Sequence, residues 1–294
     1  YVIISDDSSA GFWESVYEGA HEYGLDKGVF VENFASSFSE NLNKEQLMRI
    51  AIASNVDGIM INADESETMN DLINEAMLKN IPVVTLYNDA STSRRISYVG
   101  VGNYNIGKEY GKQALNLCKS ISLERSGDMD IVVLVSSVPT SSQMLVYSGI
   151  QETLETDVLS SRITLNTVKI DDSNTFTVEE TIRDIFMNED VPDIIVCLSE
   201  LDTTCVYQAV VDYNKVGQVN ILGFYDSAPI LNAIDRNIIN STIVLDTKQM
   251  GEYCVDALLE YDRVGFTSQY FAVDIEVIDS KNIKMHMEDT AYEN

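Results

Sequence analysis

Short, nearly unbroken apolar runs alternate with stretches whose apolar residues recur every three or four positions, from one end of this chain to the other. The first run lies within 1–5 as Val2-Ile3-Ile4, and others follow at 28–34, 57–62, 82–86 and 97–101. Runs of that length predict strands buried on both faces. Between them the 3.6-residue period predicts helices. One passes through Val16, Gly19, Ala20 and Tyr23, another through Leu47, Ile50 and Ala51, and a third through Met69, Leu72, Ile73, Ala76 and Met77. Asn43 with Gln46 forms a capping-box start for the second helix, and Asn80 before Ile81-Pro82 stops the third. Such alternation predicts parallel strands with right-handed crossovers.

The pattern then begins again. A helical period through Ile106, Gly107, Tyr110, Gly111, Ala114 and Leu117 leads to strands at 130–135, 163–169, 193–197, 219–224 and 241–245. Helical spacing fills the intervals at 145–154, 178–186, 205–213 and 229–234, with Thr177 and Glu180 as a further capping box. A last helix at 249–261 precedes a short strand near 270–273 and an acidic tail. With 294 residues the chain exceeds a usual single core, so the fold class is α/β with two doubly wound parallel-sheet lobes. No low-complexity tether separates the repeats, so the lobes join by tight crossings.

Charge and composition narrow the function. Forty-seven acidic against 19 basic residues give a net charge of −28, spread along the whole chain. Such a surface repels phosphate backbones and anionic lipid, which argues against nucleic-acid binding by this body. No apolar run approaches the ~18–20 residues that cross a bilayer. Tyr1 already stands in a strand, so the sequence reads as mature or trimmed, with no signal-peptide region in view. Cys118, Cys197, Cys205 and Cys254 lack close-pair spacing and read as buried thiols. His21 and His286 are the only histidines, which leaves little material for a zinc site or a His-based triad.

Motifs for phosphate or acyl chemistry are missing too. There is no G-x-G-x-x-G after the first strand, no P-loop lysine and no G-x-S-x-G elbow. Gly100-Val101-Gly102-Asn103 reads as a strand exit and hinge, and the pairs Asp6/Asp7 and Asp171/Asp172 as solvated carboxylates. The reading is therefore of a chain that is not an enzyme and takes no cofactor and no metal. The loop at 5–11 instead delivers Phe12-Trp13 to the carboxyl end of the first strand, where ligands sit in open α/β sheets. Two readings of these rings stay open: a stacking wall for a flat or half-apolar solute, or core residues at the helix start.

At this point the chain resembles the type I periplasmic solute-binding proteins, in the ribose- and galactose-binding branch that shares its fold with effector domains of lac-repressor-type regulators. The matching pieces are Phe12-Trp13 with Gly19-Ala20, 56–62 (V-D-G-I-M-I-N), 80–86 (N-I-P-V-V-T-L), and Tyr98-Val99-Gly100-Val101 leading to Asn103 and Gly107. They continue with Ser148-Gly149-Ile150, 192–196, Ile221-Leu222-Gly223-Phe224, Thr242-Ile243 and Gln249-Met250-Gly251. The resemblance implies a three-segment hinge near 101–103, 245–246 and 273–274. One lobe would then hold 1–102 plus 246–273, the other 103–245 plus 274–294. It also implies a ligand site in the interlobe cleft, closed by hinge motion.

Carried over residue by residue, that site comprises Asp6, Phe12, Trp13, Tyr87, Asn88, Ser137, Met144, Ser199, Tyr225, Asp226 and Leu245. The polar set departs from the family pattern. Tyr87-Asn88 stand where Asp-Arg is common, Met144 and Val146 where arginines are usual, and Ser199-Glu200 where Asn-Asp is usual. Tyr225 followed by Asp226 replaces an Asp, and Leu245 a Gln. Charge-assisted hydrogen bonds are worth about 1.5–3 kcal/mol each, so their loss points away from free ribose. A modified, methylated or aromatic-bearing solute, or a small glycoside, suits such a pocket.

The resemblance implies an extracytoplasmic, monomeric solute-binding protein that captures a carbohydrate-like ligand for an ABC-type importer, anchored at the membrane by residues upstream of Tyr1. The tail at 277–283 resembles the strand and turn that often finish exported binding proteins. A membrane-tethered sensing domain serving a kinase or other signalling partner is the alternative. So is the effector domain of a transcription regulator, which the charge disfavours near DNA.

Overall fold

The computed structural model describes residues 1–5, 10–38, 42–171, 174–187 and 190–292. Among them the chain divides into two compact units, Tyr1–Val101 with Leu245–Asp274, and Gly102–Val244 with Ile275–Asn294. The first unit contains strands β1 (Val2–Ile4), β2 (Glu32–Asn33), β3 (Ile59–Ile61), β4 (Val83–Leu86), β5 (Ser97–Gly100) and β11 (Tyr270–Ala272). They form one sheet in the order β11-β5-β4-β3-β1-β2. Its helices are α1 (Ala10–Asp26), α2 (Lys44–Ala53), α3 (Glu67–Leu78) and α9 (Thr247–Val264).

The second unit repeats the plan. Strands β6 (Met129–Ser136), β7 (Ile163–Ile170), β8 (Ile194–Val196), β9 (Asn220–Phe224), β10 (Ser241–Leu245) and β12 (Ile275–Asp279) lie in the order β12-β10-β9-β8-β6-β7. Helices α4 (Asn103–Glu124), α5 (Ser141–Glu155), α6 (Thr175–Met187), α7 (Glu200–Asp212), α8 (Ala228–Asp235) and α10 (Ile283–Tyr292) complete it. The registers of β1, β3, β4 and β5, and of β6, β8, β9 and β10, are parallel throughout. Central strands are buried on both faces, with Ile4, Ile59, Ile61 and Val83 against Leu47, Met48, Met69 and Ile73 in the first core. Leu134, Ile195 and Ile221 meet Val178, Ile182, Val206 and Ile230 in the second. Each such side chain contributes roughly 1.5–3 kcal/mol by leaving water.

Matching glycines set how closely two helix pairs approach. A Cβ on Gly19 of α1 would overlap the Lys248 carbonyl oxygen of α9, and one on Gly251 the Val16 carbonyl oxygen. In the second unit a Cβ on Gly107 of α4 would overlap the Val146 carbonyl oxygen of α5, and one on Gly149 the Tyr104 carbonyl oxygen. Backbone touches backbone at both crossings, which only glycine permits. The points where the chain passes between units are also bonded. Val273 N–H donates to Gly100 O at 2.8 Å and Asp246 N–H to Asp274 O at 3.1 Å. Gln249 accepts from Asp274 N–H at 2.8 Å and donates to the Asp274 carboxylate at 3.0 Å.

Three expectations need correction. The strand at 28–34 shrinks to Glu32–Asn33, because Gly28 takes a left-handed φ of 80° and Phe30 turns out to solvent. The α6 cap is not Thr177 with Glu180: the helix starts at Thr175, and Asn174 Oδ1 accepts from Thr177 N–H at 3.1 Å. The tail is more than acidic, since β12 and α10 occupy it and bury Ile278 and Ile283. The Asn43–Gln46 capping box forms as expected. The four thiols are free and buried, and burial pushes those of Cys118 and Cys205 up to about 11. Among the described residues no helix is long and apolar enough to cross a membrane.

The helix crossing gives a direct test. Gly149→Ala is expected to lower unfolding stability by about 1–3 kcal/mol, as overpacking does. The exposed neighbour change Ser148→Ala is expected to stay within about 0.5 kcal/mol. Urea melts of the two variants check this, and equal stabilities would contradict the close approach.

Candidate functional site

Because the strands of each sheet are parallel and covered, functional side chains gather on the loops at their carboxyl ends. In the first unit Phe12 and Trp13 occupy the first turn of α1 and pack with Tyr87, which follows β4. The Phe12 and Trp13 rings lie 4.9 Å apart at 83°, Phe12 and Tyr87 5.2 Å apart at 64°, and Trp13 and Tyr87 5.7 Å apart at 86°. Edge-to-face pairs of this kind stabilise by about 0.5–1.5 kcal/mol beyond burial. The rings therefore do not form one flat wall. Phe12 and Trp13 are 4% and 7% exposed and form a three-ring cluster with Tyr87. Beside it the Asn88 amide donates to Asn62 Oδ1 at 3.1 Å, and Asn62 is itself buried. Asp6 lies outside the described residues.

Tyr87 stands in the left-handed region at φ 62°, and Tyr225, which follows β9, at φ 75°. Every other non-glycine residue with positive φ among the described residues is an asparagine: Asn55, Asn80, Asn214 and Asn237. These asparagines follow the C-caps of α2, α3, α7 and α8, where such a conformation is ordinary. The tyrosines have no such excuse. For a bulky residue the conformation costs about 1–3 kcal/mol and persists only where the surroundings impose it.

An ionic clasp adjoins Tyr87. Arg95 pairs with Asp89 through Nε and, at 2.6 Å, through an Nη. Asp89 also accepts from the Thr85 hydroxyl at 2.7 Å and from Ala90 N–H at 2.8 Å. Tyr98 of β5 lies under the Arg95 guanidinium, stacks on Tyr270 at 5.6 Å, and donates its hydroxyl to Tyr87 O at 2.9 Å. Burial first, and the Asp89 charge second, hold the Tyr98 hydroxyl above the usual tyrosine range, so it remains a donor.

In the second unit Ser137 is exposed on the loop after β6, and Met144 is 47% exposed near the start of α5. The Ser199 hydroxyl is committed to the helix, accepting from Asp202 N–H at 3.1 Å as the N-cap of α7. Asp226, next to Tyr225, lies 3.0 Å from His286 Nε2 on α10, and Glu276 lies 3.4 Å from His286 Nδ1. Leu245 closes β10 as a buried side chain. Sequence reasoning did not find Asn62, Asp89, Arg95, Tyr98 or His286 as partners. Their links depend on strand register and on a helix in the tail, which composition does not show.

Breaking the clasp is expected to unsettle the first unit. Asp89→Asn leaves Arg95, whose side chain is mostly buried, without its charge partner. A loss of about 1–3 kcal/mol is expected, below the cost of stripping a fully buried pair. Thermal melts check it, and an unchanged midpoint would contradict the role given to Asp89.

Known proteins share this architecture. GanP, a glucose-galactose binding protein from Geobacillus stearothermophilus, is 24% identical with a TM-score of 0.81, covering 96% of this chain and 97% of its own. A sugar-binding protein of a sugar ABC transporter from Bacillus halodurans is 20% identical with a TM-score of 0.80, covering 97% and 99%. The periplasmic component of an ABC-type sugar transport system from Hahella chejuensis is 16% identical with a TM-score of 0.82, covering 95% and 99%. A comparison with curated proteins returns no match. The Periplasmic binding protein domain matches residues 1–263, and to that family this chain belongs.

Proposed function

We propose that this protein captures a small carbohydrate-like solute at the carboxyl ends of its strands, outside the cytoplasmic membrane, and hands it to an ABC-type importer. The observation that carries the reading is the three-ring cluster of Phe12, Trp13 and Tyr87 beside the Asn62–Asn88 amide pair. With Phe12, Trp13 and Asn62 buried, the half-buried Tyr87 ring is the face offered to sugar C–H surfaces, and the half-buried Asn88 amide supplies donor and acceptor for hydroxyls. The family supports it, and so do the sugar-binding proteins of the same fold named above. Anchorage at the membrane through chain N-terminal to Tyr1 belongs to the same proposal.

The ligand class follows from where the charges are spent. Asp89 and Arg95, on the loop that follows Tyr87, hold each other. Asp226 is engaged by His286, and Met144 brings no charge. Among the described candidate residues these carboxylates are already paired, which favours an alkylated or aryl-bearing glycoside over a hydroxyl-dense free pentose. A signalling partner in place of the importer is the second reading. XylFII in complex with LytSN, 22% identical with a TM-score of 0.77, is a protein of this fold with a bound partner.

Isothermal titration with D-ribose and with methyl and p-nitrophenyl glycosides of D-glucose, D-galactose and D-xylose tests the class. At least one glycoside is expected to bind about tenfold or more tighter than ribose, the equivalent of one charge-assisted bond. Micromolar ribose binding with no glycoside preferred would overturn it.

A further inference from the structure

Tyr87 and Tyr225 occupy equivalent places in the two units. Each follows the strand third from the end in its sheet order, β4 in one and β9 in the other. Across the neighbouring strand the registers correspond: Thr85 faces Tyr98 and Leu86 faces Val99, while Gly223 faces Thr242 and Phe224 faces Ile243. Each tyrosine N–H donates to the carbonyl of the residue facing the last strand position before it, Tyr87 to Val99 O at 3.0 Å and Tyr225 to Ile243 O at 2.8 Å. Each tyrosine carbonyl accepts a side-chain hydroxyl from the residue that faces the position two before it, Thr85 in one unit and Gly223 in the other. Tyr98 donates to Tyr87 O at 2.9 Å, and Thr242 to Tyr225 O at 2.7 Å.

Two different residue types thus perform one task at one position of a repeated plan. The task is specific, because a peptide turned into the left-handed region points its carbonyl away from the strand ladder and needs another donor. Thr242 is 1% exposed, and its hydroxyl is a donor to Tyr225 O held in place by the sheet. Tyr98 is itself steadied by its stack on Tyr270, whose hydroxyl donates to Gly100 O at 3.3 Å.

We infer that Tyr98 and Thr242 are positioning residues, hydroxyl latches that hold Tyr87 and Tyr225 in the left-handed conformation the proposed solute site requires. The inference rests on that reading of the site only for its consequence, since the latch is a property of the free protein. Neither hydroxyl is assigned a contact with the solute.

Hydrogen exchange in the ligand-free protein decides the latch. Tyr98→Phe is expected to speed exchange at the Tyr87 amide, and Thr242→Val at the Tyr225 amide, by about tenfold, because the opened turn frees the bonded N–H. Core amides such as Ile61 and Ile195 are expected to keep their rates, which separates a local latch from general loosening. Thr242→Ser retains the hydroxyl and is expected to restore protection at Tyr225. Unchanged exchange at both tyrosines, or loss in Thr242→Ser equal to that in Thr242→Val, would overturn the inference.

Affinity supplies the second readout. For whichever glycoside of the panel binds the unaltered protein tightest, Tyr98→Phe and Thr242→Val are expected to weaken binding about fivefold or more, with Thr242→Ser near the unaltered value. Equal affinity in all variants despite faster exchange would overturn the positioning role. Failure of the unaltered protein to bind any of the panel would count against the sugar reading instead, leaving the exchange result to judge the latch.

Discussion

A parallel strand covered by helices on both faces can offer chemistry only at its ends, and this constraint organises the molecule. The apolar run of each central strand is used up in burial, so no side chain between Val2 and Ile4, or between Ile194 and Val196, is available to a solute. In such sheets function moves to the loops at the carboxyl ends of the strands. The paired glycines of α1 with α9 and of α4 with α5 serve the same end. By letting backbones touch they bring the first turns of α1 and α5, with Phe12, Trp13 and Met144, to fixed places on those edges.

What happens at the edges is a contest between strain and restraint. Six non-glycine residues among those described have a positive φ; four are helix-ending asparagines, and two are tyrosines on the loops where a solute is expected. Left-handed tyrosine is unfavourable by itself, so the compensation must be sought nearby. In the first unit it comes from the Tyr98 hydroxyl, braced by Tyr270, and from the ring cluster with Phe12 and Trp13. In the second it comes from Thr242, while His286 holds the adjacent Asp226. The repeated fold thus supplies one backbone solution with two side-chain vocabularies.

Much of this was legible in the residues. The double βα alternation, the buried strands and the Asn43 cap follow from period and capping chemistry, and the structure has each. Less was legible where polar residues fold on thin apolar anchors. The α10 helix holds to its unit by Ile283 in a polar stretch, which reads as tail. The Asp89–Arg95 clasp and the hydroxyl latches were invisible for a different reason. They join residues 6, 11 and 17 positions apart through a turn and a strand register, and a one-dimensional pattern does not carry register.

The proposal most exposed to test is that the tyrosines at the ends of β4 and β9 contribute to solute binding. Titration of the tightest-binding glycoside into Tyr87→Ala and Tyr225→Ala variants tests it most directly, with folding monitored by circular dichroism. The account requires each folded variant to lose about tenfold or more in affinity, as aromatic anchors do when truncated. Folded variants that bind the glycoside as tightly as the unaltered protein would contradict it.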